Sequence, residues 1–263
     1  MSSITSIRIA TLSFSHCGGR GYNEDALAEC EVAGSIRFSM LADGAGGQGG
    51  GDVASATAIE TARNAFYEQP FFSSDTLLYC MKKADAAIQT RQKGEPALSH
   101  MASTFVGLLV NCERSEALMG NLGDSRCYIF RRETIIAQSY DHSLVQRFVE
   151  AGLYPLEKLR MHPRRNVLCA ALGANTEEVV PYTTRQPIAL LPGDGALLCS
   201  DGVWELLDDE TLINLYQTSD NLDVWRDRLQ TMVRKSMSEG HDNFSAILLK
   251  VLQPEQDRGN PAT

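Results

Sequence analysis

The chain has 263 residues, 43% of them hydrophobic, nine prolines and a formal net charge of −9. That is enough apolar material for one sizeable core, and no linker-like stretch divides it, so a single domain is expected. The acidic balance argues against a nucleic-acid surface. The lack of an apolar run of 18 or more residues argues against a membrane span, and the alternating start MSSITSIRIATLSF against a signal peptide, so a cytoplasmic protein is expected. The seven cysteines are an odd number with no Cys-x-x-Cys, and several sit inside apolar runs, which reads as buried free thiols.

In chain order, residues 5 to 14 alternate as a strand, and HCGGRGYNEDA follows as a mixed-charge turn in which Arg20 precedes Glu24 and Asp25. DALAECEV and SIRFSMLA then read as a hairpin through Ala33-Gly34. A helix is expected from an N-cap at Asp52, burying Val53, Ala56, Ile59, Ala62 and Phe66, and a second from Asp75 to Arg91. From Ser103 the period changes to that of four short strands, TFVGLLV, EALMGNLG, RCYIF and TIIAQ, read as one antiparallel meander. Asp141-His142-Ser143 caps a short helix ending at Gly152, and the segment after it, to about Gly173, is irregular and basic. A strand over Tyr182 to Ile188, the turn around Asp194, the strand ALLCS, helices near 208–217 and 222–238 and the final strand FSAILLKV complete a domain of residues 1–253. The polar tail 254–263 reads as disordered. Runs of strands broken by two helix pairs imply α+β layers, two packed antiparallel sheets flanked by helices.

The stretch SMLADGAGGQGGG is the chain's organising feature, because an apolar strand ends there on Asp43 beside a bare, glycine-rich backbone. Gly44, Gly46 and Gly49 match a dinucleotide fingerprint, but Asp43 would be pressed against the pyrophosphate and no second strand ending in an acid follows at the required distance. The lack of a Lys-Ser/Thr after the glycines excludes a P-loop. What remains is a carboxylate that a metal, water or substrate can approach closely. ALLCS ends on Asp201-Gly202 in the same manner, and Glu24, Asp124 and Asp242 also abut an apolar run or a tight turn. Taken singly, each reads as an ordinary turn or cap residue, as Asp194 does. Together they are an oxygen-only donor set, which selects hard cations such as Mg²⁺ or Mn²⁺.

At this point the sequence resembles the metal-dependent, type 2C serine/threonine protein phosphatases, of the bacterial kind made of a stand-alone catalytic domain. RGYNEDA, LADGAGG, STFVG, GNLGDSR, DHSLV, LLCSDGVWE and DNFSAILL follow in the family's order over about residues 8 to 252. The resemblance implies a four-layer α-β-β-α sandwich and two Mn²⁺ or Mg²⁺ ions. Asp43 would bridge them, with the Gly44 carbonyl on one and Glu24, Asp201 and Asp242 on the other. Asp25 would hold a water at the metals, and Asp124 with Asp201 would serve a third, weaker ion. Arg20 would hold the substrate phosphate with its fork of donors. A water between ions about 3.5 to 4 Å apart would attack phosphorus in line, without a phosphoenzyme. Ala45 stands where some relatives carry a histidine proposed as the leaving-group acid, so that proton is expected from water. His241, before Asp242, reads as a solvated loop residue.

Three functions compete: a phosphatase acting on phosphoserine and phosphothreonine, a pseudophosphatase-type regulatory binding domain on the same fold, and another two-metal phosphoesterase such as a nuclease. The presence of every expected acid weighs against the second, and the acidic charge against the third. Phosphoprotein substrates and an opposing serine/threonine kinase are the partners implied, in bacterial signalling and by analogy in type VI secretion control, with a monomer expected. The segment Leu144 to Ala170 resembles the family's flap. Its Arg160, Arg164 and Arg165 are a candidate docking cluster for substrate, against the alternative that they balance Glu150 and Glu157.

Overall fold

The computed structural model describes residues 6–32, 34–46, 50–174 and 180–253. The tail 254–263, and Gly49 of the glycine-rich loop, lie outside the described residues. Strand β1 (Arg8–His16) is followed by β2 (Asp25–Val32) and β3 (Ile36–Ala45), then helices α1 (Gly51–Glu68) and α2 (Ser74–Gly94). Strands β4 (Ala102–Ser103), β5 (Phe105–Asn111), β6 (Glu116–Leu122), β7 (Arg126–Arg131) and β8 (Thr134–Gln138) lead to α3 (Leu144–Glu150). After a 3₁₀ turn at Leu156–Met161 come β9 (Tyr182–Thr183), β10 (Ile188–Ala189) and β11 (Gly195–Cys199), then α4 (Asp201–Trp204), α5 (Asp209–Gln217), α6 (Leu222–Ser236) and β12 (Phe244–Leu252).

Two antiparallel sheets result, in the orders β1-β12-β11-β7-β8 and β10-β6-β5-β3-β2, with β4 beside β3 and β9 beside β6. The alternation seen in the strands buries one face of each sheet against the other, where Leu41, Val106, Met119, Ile129, Leu198 and Ile247 meet. The opposite faces are covered by helices. Helices α1 and α2 pack Ala58, Phe66, Met81 and Ile88 over Phe38 and Phe105. Helices α5 and α6 pack Leu212, Trp225 and Leu229 over Tyr128, Phe130 and Leu248. This is the expected α-β-β-α sandwich.

Several local readings are corrected. Asp52 is not the cap of α1: Gly50 holds that position at φ 105°, without a side-chain cap. Ala56 is exposed, and Ala54, Ala58 and Ala65 face the core instead, because an alanine-rich helix offers more than one apolar stripe. Within the expected Asp141-His142-Ser143 cap of α3 it is Ser143 that serves, accepting from the Gln146 N–H at 3.2 Å. The four middle strands are not one meander. Strand β6 lies in one sheet and β7 in the other, so the chain changes sheets across Gly123, Asp124 and Ser125. That crossing brings Asp124 to the edge where the two sheets meet.

Candidate active site

The acids arrive at that edge from both sheets. Asp25 and Asp43 face each other in the β2–β3 register. Asp201 begins α4 one residue after β11, and Asp242 stands two residues before the start of the neighbouring β12. Glu24 is joined to the same corner by its carbonyl, which accepts from the Gly44 N–H at 3.1 Å. The two glycines of the loop are required by close approach: a β-carbon at Gly44 would collide with the Gly51 carbonyl, and one at Gly51 with the Glu24 carboxylate.

Electrostatics report the crowding. Burial first, and then the carboxylates of Asp25, Asp201, Asp124 and Asp242, hold Asp43 well above the usual carboxylate range. Burial, followed by Asp124, Glu205, Asp242 and Asp25, does the same to Asp201. Asp25 is pushed up to about 6 by burial, against the opposing hydrogen bonds of Ser245 and Ser200. Asp124 is pushed up to about 7 by burial and by Asp141. Buried acids that repel one another are costly unless something positive compensates them.

A polar frame holds these acids, and the sequence reading did not assign it. The Asp43 N–H donates to Thr104 Oγ1 at 2.9 Å, the Ser103 hydroxyl donates to the Asp43 carbonyl at 3.0 Å, and Thr104 Oγ1 lies 2.7 Å from Ser125 Oγ across the sheet crossing. Asn243 staples the Arg20 loop to β12: it donates to the carbonyls of Cys17 and Tyr22 and accepts from the Glu24 N–H. Beneath Asp124, Arg126 makes three hydrogen bonds to Asp141, of 2.9, 3.1 and 2.5 Å. The Arg126 guanidinium stacks 3.6 Å from the centre of the Trp204 ring, whose Nε1–H donates to the Asp124 carbonyl at 2.9 Å. The available signal was a pair of polar residues at the head of an apolar run, Ser103-Thr104 before FVGLLV and Ser125-Arg126 before CYIF.

The remaining expected residues divide. Arg20 is exposed at the mouth, its Nη2 donating to Asp242 Oδ2 at 2.8 Å. His241 is not simply solvated: its Nε2 lies 2.9 Å from the Gly202 carbonyl. Arg165, expected to help dock substrate, is spent on Glu205, with Nε 2.8 Å from Oε1 though not aligned as a hydrogen bond. Arg160 donates to the Trp204 carbonyl and to Asp209, and only Arg164 of the three projects freely into solvent among the described residues. The partners are therefore not Glu150, which accepts from Tyr140 and Gln146. Asp194 is a structural residue as expected, gripped by Arg131 at 2.9 and 2.7 Å. Of the thiols Cys17 is exposed, Cys169 half-buried and the other five buried, all free.

The donor set suits a hard divalent cation. Glu24 Oε1, Asp25 Oδ1 and Asp201 Oδ1 are buried without a hydrogen-bond donor, and every candidate ligand is an oxygen. Among the described residues no three acid, histidine or cysteine side chains are gathered closely enough to hold an ion as they stand, and Asp242 is turned toward Arg20.

Comparison with known proteins agrees with this corner. The chain is 27% identical over 242 residues to the serine/threonine phosphatase stp of Listeria welshimeri, covering 88% of this chain and 91% of that one. Among solved structures, the catalytic domain of PstP in complex with two manganese ions is 26% identical with a TM-score of 0.78, covering 95% of this chain and all of that one. PppA, described as a key regulatory component of T6SS in Pseudomonas aeruginosa, is 28% identical with a TM-score of 0.74, covering 94% of this chain and all of that one. The family model for protein phosphatase 2C matches residues 15–244, a span that runs from the end of β1 into β12 and takes in every acid of the corner, and the chain therefore belongs to the protein phosphatase 2C family.

Proposed function

We propose that this chain is a metal-dependent protein serine/threonine phosphatase, with residues 1–253 as one catalytic domain and 144–170 as its flap. The observation that carries the reading is the convergence of Asp25, Asp43, Asp124, Asp201 and Asp242 on the edge where the two sheets meet, with orphaned buried oxygens on Asp25 and Asp201 and on the adjoining Glu24. Glu24, Asp43, the Gly44 carbonyl, Asp201 and Asp242 would hold two Mn²⁺ or Mg²⁺ ions, and Asp124 with Asp201 a third. Bound there, the cations supply Lewis acidity and an acidified water for attack on phosphorus.

The chain's own groups do the rest. Arg20, held to Asp242 only by a solvent-exposed contact, turns its fork to the substrate phosphate and aligns it. Asp25 has Oδ2 fixed by the Ser200 hydroxyl at 2.9 Å and offers Oδ1 to orient the attacking water. Ser103 and Thr104 fix the Asp43 backbone, so that its carboxylate does not reorganise during the reaction. With Ala45 at the loop and the His241 ring engaged by Gly202, the proton for the leaving alkoxide comes from water. No helix among the described residues is long and apolar enough to cross a membrane, and we take the enzyme to act as a monomer in the cytoplasm, on phosphoproteins made by an opposing kinase. The likeness to PppA supports a place in secretion control as the pathway.

The test is phosphate release from a phosphothreonine peptide. Release is expected with Mn²⁺ or Mg²⁺ and none in EDTA. No release with either ion would leave the regulatory binding domain as the better reading, and full release in chelator would remove the metals from the mechanism.

A further inference from the structure

With Arg160 and Arg165 committed to Asp209 and Glu205, the docking cluster expected on the flap is largely spent. Two other arginines near the active edge are not. A cleft of about 830 Å³ lies between α3 and β9, with Arg147 of α3 and Arg185 beyond β9 among its lining residues. Both are exposed, and neither guanidinium has an ion-pair or hydrogen-bond partner among the described residues.

The two acids that line the same cleft are already engaged. Asp141 is saturated by Arg126, and Glu150 accepts from the Tyr140 hydroxyl and from Gln146 Nε2. Asp141 is thereby neutralised, whereas Glu150, bonded only to neutral donors, keeps its charge, and the two arginines outweigh it to leave the cleft positive in a chain whose net charge is −9. Its walls are aromatic: Tyr140 lies 6.3 Å from Tyr182 and 5.6 Å from His142, ring centre to ring centre. Arginines beside tyrosines take carboxylates and the side chains next to them.

The cleft also adjoins the chemistry. His142 lines it, and the His142 backbone N–H donates at 2.8 Å to the carbonyl of Gly123, the residue before Asp124. An extended peptide advances about 3.3–3.6 Å per residue. Residues a few positions from a phosphorylated side chain seated among the acids therefore reach the cleft.

We propose that this cleft is a substrate subsite for an acidic stretch flanking the phosphorylated residue. Arg147 and Arg185 take its carboxylates, and Tyr140 and Tyr182 pack against its side chains. That the ligand is substrate rests on the phosphatase reading; that it is an acidic peptide rests on the cleft.

The experiment compares phosphothreonine peptides carrying Asp and Glu flanks with Asn and Gln counterparts, using the wild type and the Arg147→Ala/Arg185→Ala variant. The wild type should favour the acidic peptide in kcat/KM by about tenfold, the size of one or two charge-assisted contacts, with the preference shrinking as salt rises. In the variant the ratio should fall to about one. The same ratio in both proteins overturns the proposal. A second arm needs no catalysis: anisotropy of a fluorescein-labelled, unphosphorylated acidic peptide in EDTA should show binding that the variant loses. If no peptide is hydrolysed by the wild type, the phosphatase reading fails and this arm decides the subsite. Equal binding by both proteins overturns the subsite too, and binding lost only with an oligonucleotide probe would reassign the cleft to another anion.

Discussion

Two arginine–carboxylate pairs, each built around or beside an acid of the site, do opposite work. Arg20–Asp242 is 2.8 Å long with side chains 54% and 39% exposed, whereas Arg126–Asp141 is 2.5 Å long with side chains 6% and 2% exposed. In water the first is worth about 0–1 kcal/mol, so a phosphate can displace Asp242 from the guanidinium at little cost. The second is tied into Tyr128, Trp204 and, through Trp204, the Asp124 backbone. Removing one partner there strands a buried charge. Solvent exposure thus makes one pair exchangeable and the other part of the scaffold.

The comparison can be broken most severely at the buried pair. Asp141→Asn should destabilise the fold by about 3–5 kcal/mol, read by chemical denaturation, whereas a loss below about 1 kcal/mol would show that the pair is not structural. Asp43→Asn should abolish turnover while leaving the fold intact, because it removes the charge shared by the site; wild-type phosphate release would displace Asp43 from the centre. Arg20→Ala should change stability by less than about 0.5 kcal/mol and act mainly as a raised KM for phosphopeptide. An unchanged KM would end its assignment to phosphate.

The pair's acidic neighbours sharpen the contrast through pH. The carboxyls of Asp25, Asp43, Asp124 and Asp201 are all raised above their unfolded value. The folded state therefore holds protons that the unfolded state has released, and this stability is full below about pH 4 and lost as pH rises through the folded values. His142 is shifted down by burial and works in the opposite sense, but its contribution is complete above about pH 6.5. In EDTA the melting temperature should accordingly fall between pH 6.5 and 8, and the gain on adding Mn²⁺ should grow over the same range. A melting temperature that rises with pH in chelator would contradict this. The smallest effect belongs to the flap: Arg164→Ala should leave phosphopeptide kinetics within about twofold, as expected of a solvated charge, while a large, salt-sensitive loss would restore it as a docking residue.

What the sequence made legible was whatever is encoded locally. The β2 segment DALAECEV and its hairpin partner follow from alternation, and the acids are visible because each ends an apolar run. The division of β6 and β7 between sheets was not legible, since the period of a strand does not say which sheet receives it. Nor was the polar frame: Asp43 finds Thr104 across 61 residues, and Glu24 finds Asn243 across 219. The one-turn α4 escaped because four residues carry no periodicity. The flap arginines looked alike in sequence and were told apart only by Glu205 and Asp209, which α4 and α5 bring to them.

The place of β12 has a consequence for the birth of the enzyme. It pairs with β1 along nine residues on one side and with β11 on the other, and it follows directly on Asp242 and Asn243. During synthesis it is the last of the described strands to leave the ribosome. Until then β1 and β11 present unpaired edges to the cell, the Arg20 loop lacks its staple, and the acids contributed by one sheet have not met those of the other. Activity is therefore gained in a single step with that strand, and a nascent chain cannot dephosphorylate anything before β12 has emerged and paired.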